Sequence, residues 1–201
     1  MTNSKEHKAY FVGGVNGVGK STFLHELTSK HPEFRVVKGS SMFMDRLGIS
    51  QGDYDSLRAL PEDYKKEESD KMMKELLSEA PSDDKTLLID AHYFNYKRGQ
   101  MVDASGEWMS LLDALFVISG DIDEVSKRIL EDKKDRDLFP ESFSEKQKKE
   151  LLGKYLSGTI QKAREISEKY GVPFFIINNE SGKIDDTIKS FLSTHNSVVK
   201  K

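Results

Sequence analysis

Residues 14–21, which read GVNGVGKS, constrain the fold of this chain more than any other feature of its sequence. They match the pattern Gly-x-x-x-x-Gly-Lys-[Ser/Thr], in which glycines allow successive backbone N–H groups to turn toward one bound anion. A short apolar segment, 9–12, precedes the loop, and an amphipathic segment of about 19–30 follows it. This order predicts a strand, a phosphate-binding loop and a helix at the carboxyl edge of a parallel sheet.

Strand-like and helix-like segments alternate along the rest of the chain, which favours a parallel sheet with helices on both faces. Five segments are predicted as strands, the second weaker than the others: 9–12, 34–37, 86–90, 115–118 and 172–177. Six helices are predicted, with boundaries set by proline, glycine and capping pairs. They cover about 19–30, 40–48, 61–80, a segment opened by Asp121 and Glu124, a segment from Ser144 and Gln147 to Tyr170, and 185–192. The predicted fold class is therefore α/β, a three-layer P-loop nucleotide-binding fold in a single domain over 1–201.

Composition narrows the possible functions. The 31 basic and 34 acidic residues give a formal net charge of -3, so the charge balance offers no basis for binding nucleic acid or an anionic membrane. The chain has no cysteine, which excludes disulfides, thiolate metal ligands and a cysteine nucleophile. The polar first ten residues and the lack of a long apolar stretch predict neither a secretion signal nor a membrane span. We therefore expect a cytoplasmic protein whose partners are small-molecule nucleotides.

The loop has the residue types needed to hold ATP. Its glycines expose backbone amides, Lys20 brings a mobile ammonium to the β- and γ-phosphates, and the Ser21 hydroxyl suits Mg²⁺ carried with ATP. The predicted ATP-binding residues are Gly14, Val15, Asn16, Gly17, Val18, Gly19, Lys20, Ser21 and Thr22.

Carboxylate and imidazole groups follow the third predicted strand. Asp90 ends this strand, so we predict it beside the loop as the carboxylate on the metal side; the alternative is an aspartate that caps a turn. His92 is a candidate ligand contact, although a lone histidine more often forms a local hydrogen bond.

Phosphoryl transfer also needs cations around the migrating group. Lys134 and Arg136 lie in a densely charged segment, and we interpret 131–143 as a lid that closes over ATP, against the alternative of a solvated charged loop. Arg58 is a candidate contact to an acceptor phosphate, although most single arginines are surface charges.

Together these segments resemble the archaeal-type adenylate kinase family, a branch of the P-loop nucleoside monophosphate kinases. The resemblance rests on six short matches: GVNGVGKST from Gly14, GSSMF from Gly39, DYDSLR from Asp53, DAH from Asp90, KDRD from Lys134 and NNESG from Asn178. It implies a five-stranded sheet, a helical acceptor-binding insertion over about 39–80 and a short lid. It also implies transfer from ATP to a nucleoside monophosphate, most simply ATP plus AMP giving two ADP. The acceptor contacts that follow from this interpretation are Ser40, Met42, Arg58, His92 and Arg98.

The chain departs from the family pattern at two places. The first lid arginine is replaced by Lys134, and the Gly- and Pro-rich stretch that usually follows His92 is replaced by YFNYKRGQM. The aromatic residues of that segment are predicted either to stack on a base or, by slight preference, to fill the core: Tyr93, Phe94 and Tyr96.

Two other functions fit the same loop. A kinase of a sugar, sugar acid or other small alcohol would need a carboxylate base near the acceptor hydroxyl, a role open to Asp45 or Asp90. A nucleotide switch or an ATPase that acts on a macromolecular partner is the third possibility. The sequence lacks the Asn-Lys-x-Asp segment expected of a guanine-specific GTPase.

Overall fold

The computed structural model describes residues 8–78, 84–97, 99–132 and 138–200. Within these ranges the strands are β1 (Ala9–Gly13), β2 (Phe34–Lys38), β3 (Thr86–Asp90), β4 (Phe94–Lys97), β5 (Gln100–Asp103), β6 (Ala114–Ser119) and β7 (Phe174–Asn178). Five of them form a parallel sheet in the order β2-β3-β1-β6-β7. The fold class and all five strands predicted from the sequence are thus confirmed.

Helices connect these strands. They are α1 (Lys20–Lys30), α2 (Gly39–Arg46), α3 (Tyr54–Ala59), α4 (Glu62–Ser78), α5 (Ile122–Glu131), α6 (Glu145–Tyr170) and α7 (Ile184–Val199), with a short 3₁₀ helix at Glu107–Leu111. The predicted capping box of Ser144 and Gln147 opens α6, and Gly171 closes it in the left-handed conformation. Helix α3 was not predicted, because its six residues are too few to show a helical period. No helix in the described ranges is long and apolar enough to cross a membrane.

The sheet divides the core into two layers because successive strand residues point to opposite faces. One layer joins Tyr10 and Val12 of β1 to α1 and α7. The other joins Phe11 of β1 to α4 and α6. The Phe191 ring of α7 lies 4.6 to 5.5 Å from the rings of Phe23, Phe34 and Phe116, so α7 is held by aromatic packing across the first layer.

An antiparallel hairpin of β4 and β5 follows His92, in the segment that reads YFNYKRGQM. Tyr93 enters the core and is 1% exposed, with its ring 4.7 Å from that of Phe11. Tyr96 is partly buried, and its ring lies 4.4 Å from that of Tyr155 on α6. The core interpretation of these aromatic residues is therefore confirmed. The hairpin itself was missed because its strands are only four residues long.

Candidate nucleotide-binding site

The glycine-rich loop leaves the central strand of the sheet. β1 lies between β3 and β6, and residues 14–19 connect it to the start of α1. Gly17 and Gly19 have φ angles of 84° and 81°, a region that side chains disfavour. The left-handed Gly19 stands at the N-cap of α1 without a side-chain cap, so the first-turn amides of the helix are available to an anion.

Close packing behind the loop also requires glycine. A Cβ added to Gly14 would lie 2.6 Å from the backbone oxygen of Ile118, and one added to Gly13 would lie 2.3 Å from the Tyr93 ring. Both distances are well inside normal contact. The loop therefore packs directly on the end of β6, and the last residue of β1 packs directly on Tyr93.

Lys20 and Asp90 form a buried ion pair at the base of the loop. Lys20 is 8% exposed and Asp90 is 9% exposed, and the Lys20 ammonium donates a hydrogen bond to Asp90 Oδ1. Asp90 ends β3 opposite Val12 of β1, so the two adjacent parallel strands bring it to the loop. Burial, and then the charge of Lys38, lower the pKa of Lys20 to about 8. Lys20 therefore remains an ammonium at neutral pH, held on a carboxylate that a phosphate can replace.

Asn179 forms a hydrogen bond to the backbone of the loop and was not identified from the sequence. This residue is 6% exposed, and its Nδ2 donates to the Val18 carbonyl at 2.7 Å. Its backbone N–H bonds to Ser119 of β6, and its Oδ1 accepts from the Thr187 hydroxyl at 3.2 Å. The NNESG match pointed to this stretch of chain but did not say which side chain contacts the loop.

Arg128 on α5 is a second residue that sequence analysis missed. Its Nη1 donates to the Gly17 carbonyl at 3.4 Å, and its Nη2 donates to Glu124 at 3.1 Å. The predicted capping box of Asp121 and Glu124 is only half formed: Asp121 caps α5, whereas the Glu124 carboxylate accepts from Arg128 and from the Ser181 amide. Glu124 thus joins Arg128 to the segment after β7 instead of returning to its own helix start.

His92 is tied to the loop by a backbone hydrogen bond. Its Nδ1 lies 2.7 Å from the Gly14 carbonyl, which can only accept, so Nδ1 carries the proton. The local hydrogen-bonding interpretation of His92 is seen here, and contact with a ligand stays a prediction.

The two predicted metal-side residues differ in exposure. Ser21 is exposed in the first turn of α1, as is the neighbouring Thr22, whereas Asp90 is buried. Within the ranges that the structure describes, no group of three or more histidine, cysteine or acidic residues forms a metal cage. A hydroxyl and a carboxylate oxygen are ligands that Mg²⁺ accepts, and Mg²⁺ usually completes its shell with water and phosphate oxygens. The residues present therefore fit a metal that arrives with a nucleotide.

The predicted acceptor residues are placed less uniformly. Ser40 is exposed on α2, and Met42 packs partly buried against the second core layer. Arg58 on α3 is 43% exposed at its side chain and pairs with Asp55 at 2.5 Å. Three predicted cations lie outside the described residues: Arg98, Lys134 and Arg136.

Comparisons with known proteins agree with this architecture. A solved structure of shikimate kinase from Bacteroides thetaiotaomicron superposes with a TM-score of 0.62 at 13% identity, covering 94% of this chain and 98% of that chain. At this identity the likeness shows the fold alone, which is that of a P-loop kinase. No curated protein matches the chain in sequence. A family model described as AAA domain matches residues 13–142. Because this match covers well over half of the chain and includes the loop, Lys20 and Asp90, the protein belongs to the AAA domain family.

Proposed function

We propose that the protein transfers the γ-phosphoryl group of ATP to a nucleoside monophosphate, as adenylate kinases do. The observation that carries this proposal is the buried pair of Lys20 and Asp90 beneath the glycine-rich loop, at the carboxyl edge of the sheet. A charged pair costs desolvation free energy when it is buried, so its position calls for a reason beyond stability. A lysine that exchanges its carboxylate for a phosphate oxygen supplies that reason.

In the proposed reaction the chain binds and orients, and no side chain acts as a nucleophile. The amides of the loop and of the first turn of α1 hold the phosphates, and Lys20 stabilises charge on the transferring group. Ser21 and Asp90 are the residues that would hold Mg²⁺, whose chemistry is to neutralise phosphate charge. Lys134 and Arg136 are proposed as lid cations.

The acceptor side is proposed to lie along α2 and α3. Its contacts would come from the residues that the family resemblance selected: Ser40, Met42, Arg58, His92 and Arg98. A phosphate acceptor is already nucleophilic and needs no base. This suits a site in which Asp90 would hold Mg²⁺ and in which Asp45 is exposed and accepts a hydrogen bond from Gln51 at 2.6 Å.

A second candidate is a kinase of a small hydroxy acid. The observation that favours it is the fold likeness to shikimate kinase over nearly the whole chain. In that reaction Asp90 would leave Lys20 once ATP is bound and accept the proton of the acceptor hydroxyl.

A coupled assay of ADP formation tests both candidates. ATP and Mg²⁺ are supplied with AMP, dAMP, GMP, CMP or UMP, and in parallel with shikimate and other sugar acids. We expect turnover with at least one monophosphate, and its loss by a factor of at least about 100 in Lys20→Ala, since removal of a group that stabilises the transition state typically has this effect.

The control is Lys189→Ala, which removes an exposed lysine of α7 whose pairing with Asp186 is separate from the loop. Turnover only with hydroxy acids would replace the first candidate by the second. ATP hydrolysis that none of these acceptors changes would contradict both and favour an ATPase.

A further inference from the structure

Lys38 is an exposed lysine at the carboxyl end of β2, directly before α2. Its backbone is extended and it occupies the N-cap position of α2 without making a side-chain cap. Within the part of the chain that the structure describes, its ammonium forms no ion pair or hydrogen bond. No motif in the sequence singled this residue out.

The register of the sheet places Lys38 beside Asp90. The two residues are Cα partners at the ends of β2 and β3, where neighbouring strands run about 4.8 Å apart. The turn after Lys38 is equally close to the loop after Asp90, since a Cβ added to Gly39 would lie 3.2 Å from the Ala91 Cβ and 3.5 Å from the Asp90 carbonyl. The start of α2 therefore adjoins the backbone at Asp90 and Ala91.

Strand alternation places the Lys38 side chain on the face that carries α1. Val36 packs in the first core layer and Val37 in the second, so Lys38 shares the face of Val36. Asp90 follows Leu88 of the first layer by two residues and shares that face too. Lys20, Asp90 and Lys38 thus lie on one side of the sheet at one edge.

The charges of this group are unbalanced. Asp90 pairs with Lys20, and Lys38 adds a second cation at the neighbouring strand end, so two ammonium groups and one carboxylate lie there together. One carboxylate cannot neutralise two ammonium groups, so a bound anion would balance the remaining positive charge. A donor phosphate on Lys20 would leave the Lys38 ammonium available to a second anion, because Lys38 belongs to β2 and lies outside the loop.

We propose that the Lys38 ammonium binds the anionic group of the phosphoryl acceptor and thereby restricts the enzyme to acceptors that carry such a group close to the attacking oxygen. This inference rests on the proposed phosphoryl transfer and specifies its acceptor. For a nucleoside monophosphate the anion is the accepting phosphate itself; for a hydroxy acid it is the carboxylate. Since both reactants are then anionic, a cation between them reduces the repulsion that opposes their approach.

Binding and rate measurements on four proteins test the role of Lys38. They are the wild type, Lys38→Met, Lys38→Arg and the distant control Lys189→Met. A non-hydrolysable ATP analogue with Mg²⁺ is titrated first; AMP, shikimate and inorganic phosphate are then titrated separately into the protein saturated with that analogue. Initial rates give KM for the acceptor and for ATP wherever turnover is found.

We expect Lys38→Met to weaken the acceptor and inorganic phosphate by about tenfold, the effect of losing one charge-assisted hydrogen bond. The affinity for the ATP analogue should stay within about twofold, Lys38→Arg should recover most of the loss, and Lys189→Met should match the wild type. The inference is overturned if Lys38→Met leaves phosphate and acceptor binding unchanged. It is equally overturned if the analogue weakens as much as the acceptor, because Lys38 would then contact the donor.

The two proposals fail in different ways. If no monophosphate is bound or phosphorylated by the wild type, the nucleotide acceptor is wrong, yet phosphate or shikimate binding that depends on Lys38 still supports the anion site. If AMP is phosphorylated with the same KM in Lys38→Met, the proposed function survives and the role of Lys38 does not.

Discussion

Replacing Asn179 by alanine should loosen the phosphate-binding loop without touching a residue that contacts phosphate in the proposed reaction. The Asn179 amide is the side-chain donor to the Val18 carbonyl, and Val18 is 1% exposed. In Asn179→Ala the Val18 carbonyl loses this hydrogen bond, and because Val18 is buried, water does not replace the lost donor. The Thr187 hydroxyl keeps the carbonyls of Asn178 and Lys183 as acceptors, at 3.3 and 3.2 Å. The cost therefore falls mainly on the loop.

The expected destabilisation follows from that single unsatisfied group. An unpaired buried carbonyl costs about 1–3 kcal/mol, so we expect the free energy of unfolding to fall by about 2 kcal/mol. For a chain of this size that corresponds to a drop of about 4–8 °C in Tm. The affinity for an ATP analogue should weaken about threefold to tenfold, because a smaller fraction of the protein holds the loop in its binding conformation.

Urea unfolding and calorimetric titration of the analogue measure the two effects. Asn178→Ala is the matched control, since Asn178 is the same residue type one position earlier and is exposed. Asn179→Asp keeps the size but replaces the donor by a carboxylate that faces the Val18 carbonyl, so it should be at least as harmful as alanine. If Asn179→Ala and Asn178→Ala agree within about 0.5 kcal/mol and bind the analogue equally well, the anchoring role of Asn179 is refuted.

Three further outcomes are expected. Since burial and Lys38 lower the pKa of Lys20 to about 8, ATP affinity should fall about tenfold from pH 7 to pH 9 as the ammonium is lost, and a calorimetric pH series should show no such step in Lys20→Met. Burial lowers the pKa of His195, whose Nδ1 lies 2.9 Å from the Tyr10 hydroxyl. As the pH falls, the imidazole is protonated in the unfolded state before it is protonated in the folded state, so the free energy of unfolding should decrease below about pH 6.5. Urea midpoints measured across this pH range should show a weaker dependence in His195→Gln. Gly14→Ala should cost about 1–3 kcal/mol and weaken ATP binding, because its Cβ would lie 2.6 Å from the backbone oxygen of Ile118; unfolding and titration curves equal to the wild type would contradict the close packing.

Much of the candidate site is readable along the chain because local patterns carry it. The spacing of Gly14, Gly19 and Lys20 indicates a phosphate-binding loop between a strand and a helix without reference to the rest of the chain. Asp90 was placed beside this loop by a rule of topology, since the carboxyl ends of parallel strands share one edge. The ion pair of Lys20 and Asp90 shows that this rule was sufficient here.

Other members of the site have no local signature. Arg128 contacts the loop from a position 111 residues away, and nothing distinguishes it in the sequence from the other charged residues of α5. Glu124 was interpreted as half of a capping box because its spacing from Asp121 allows one. Arg128 competes for the Glu124 carboxylate from one turn further along α5, and the Ser181 amide is brought to it only by the segment that follows β7.

The amino-acid sequence by itself determined the five strands of the parallel sheet, most of the helices and the phosphate-binding loop, because periodicity, capping and glycine spacing act between residues a few positions apart. The tertiary structure alone decided that Asn179 supports Val18, 161 residues away, and that Lys38 ends beside Asp90. These contacts depend on the order and register of the strands, which are set when both faces of the sheet are buried. The proposed function of Lys38 therefore depends on its position beside Asp90 and Lys20, which the sequence around Lys38 does not indicate.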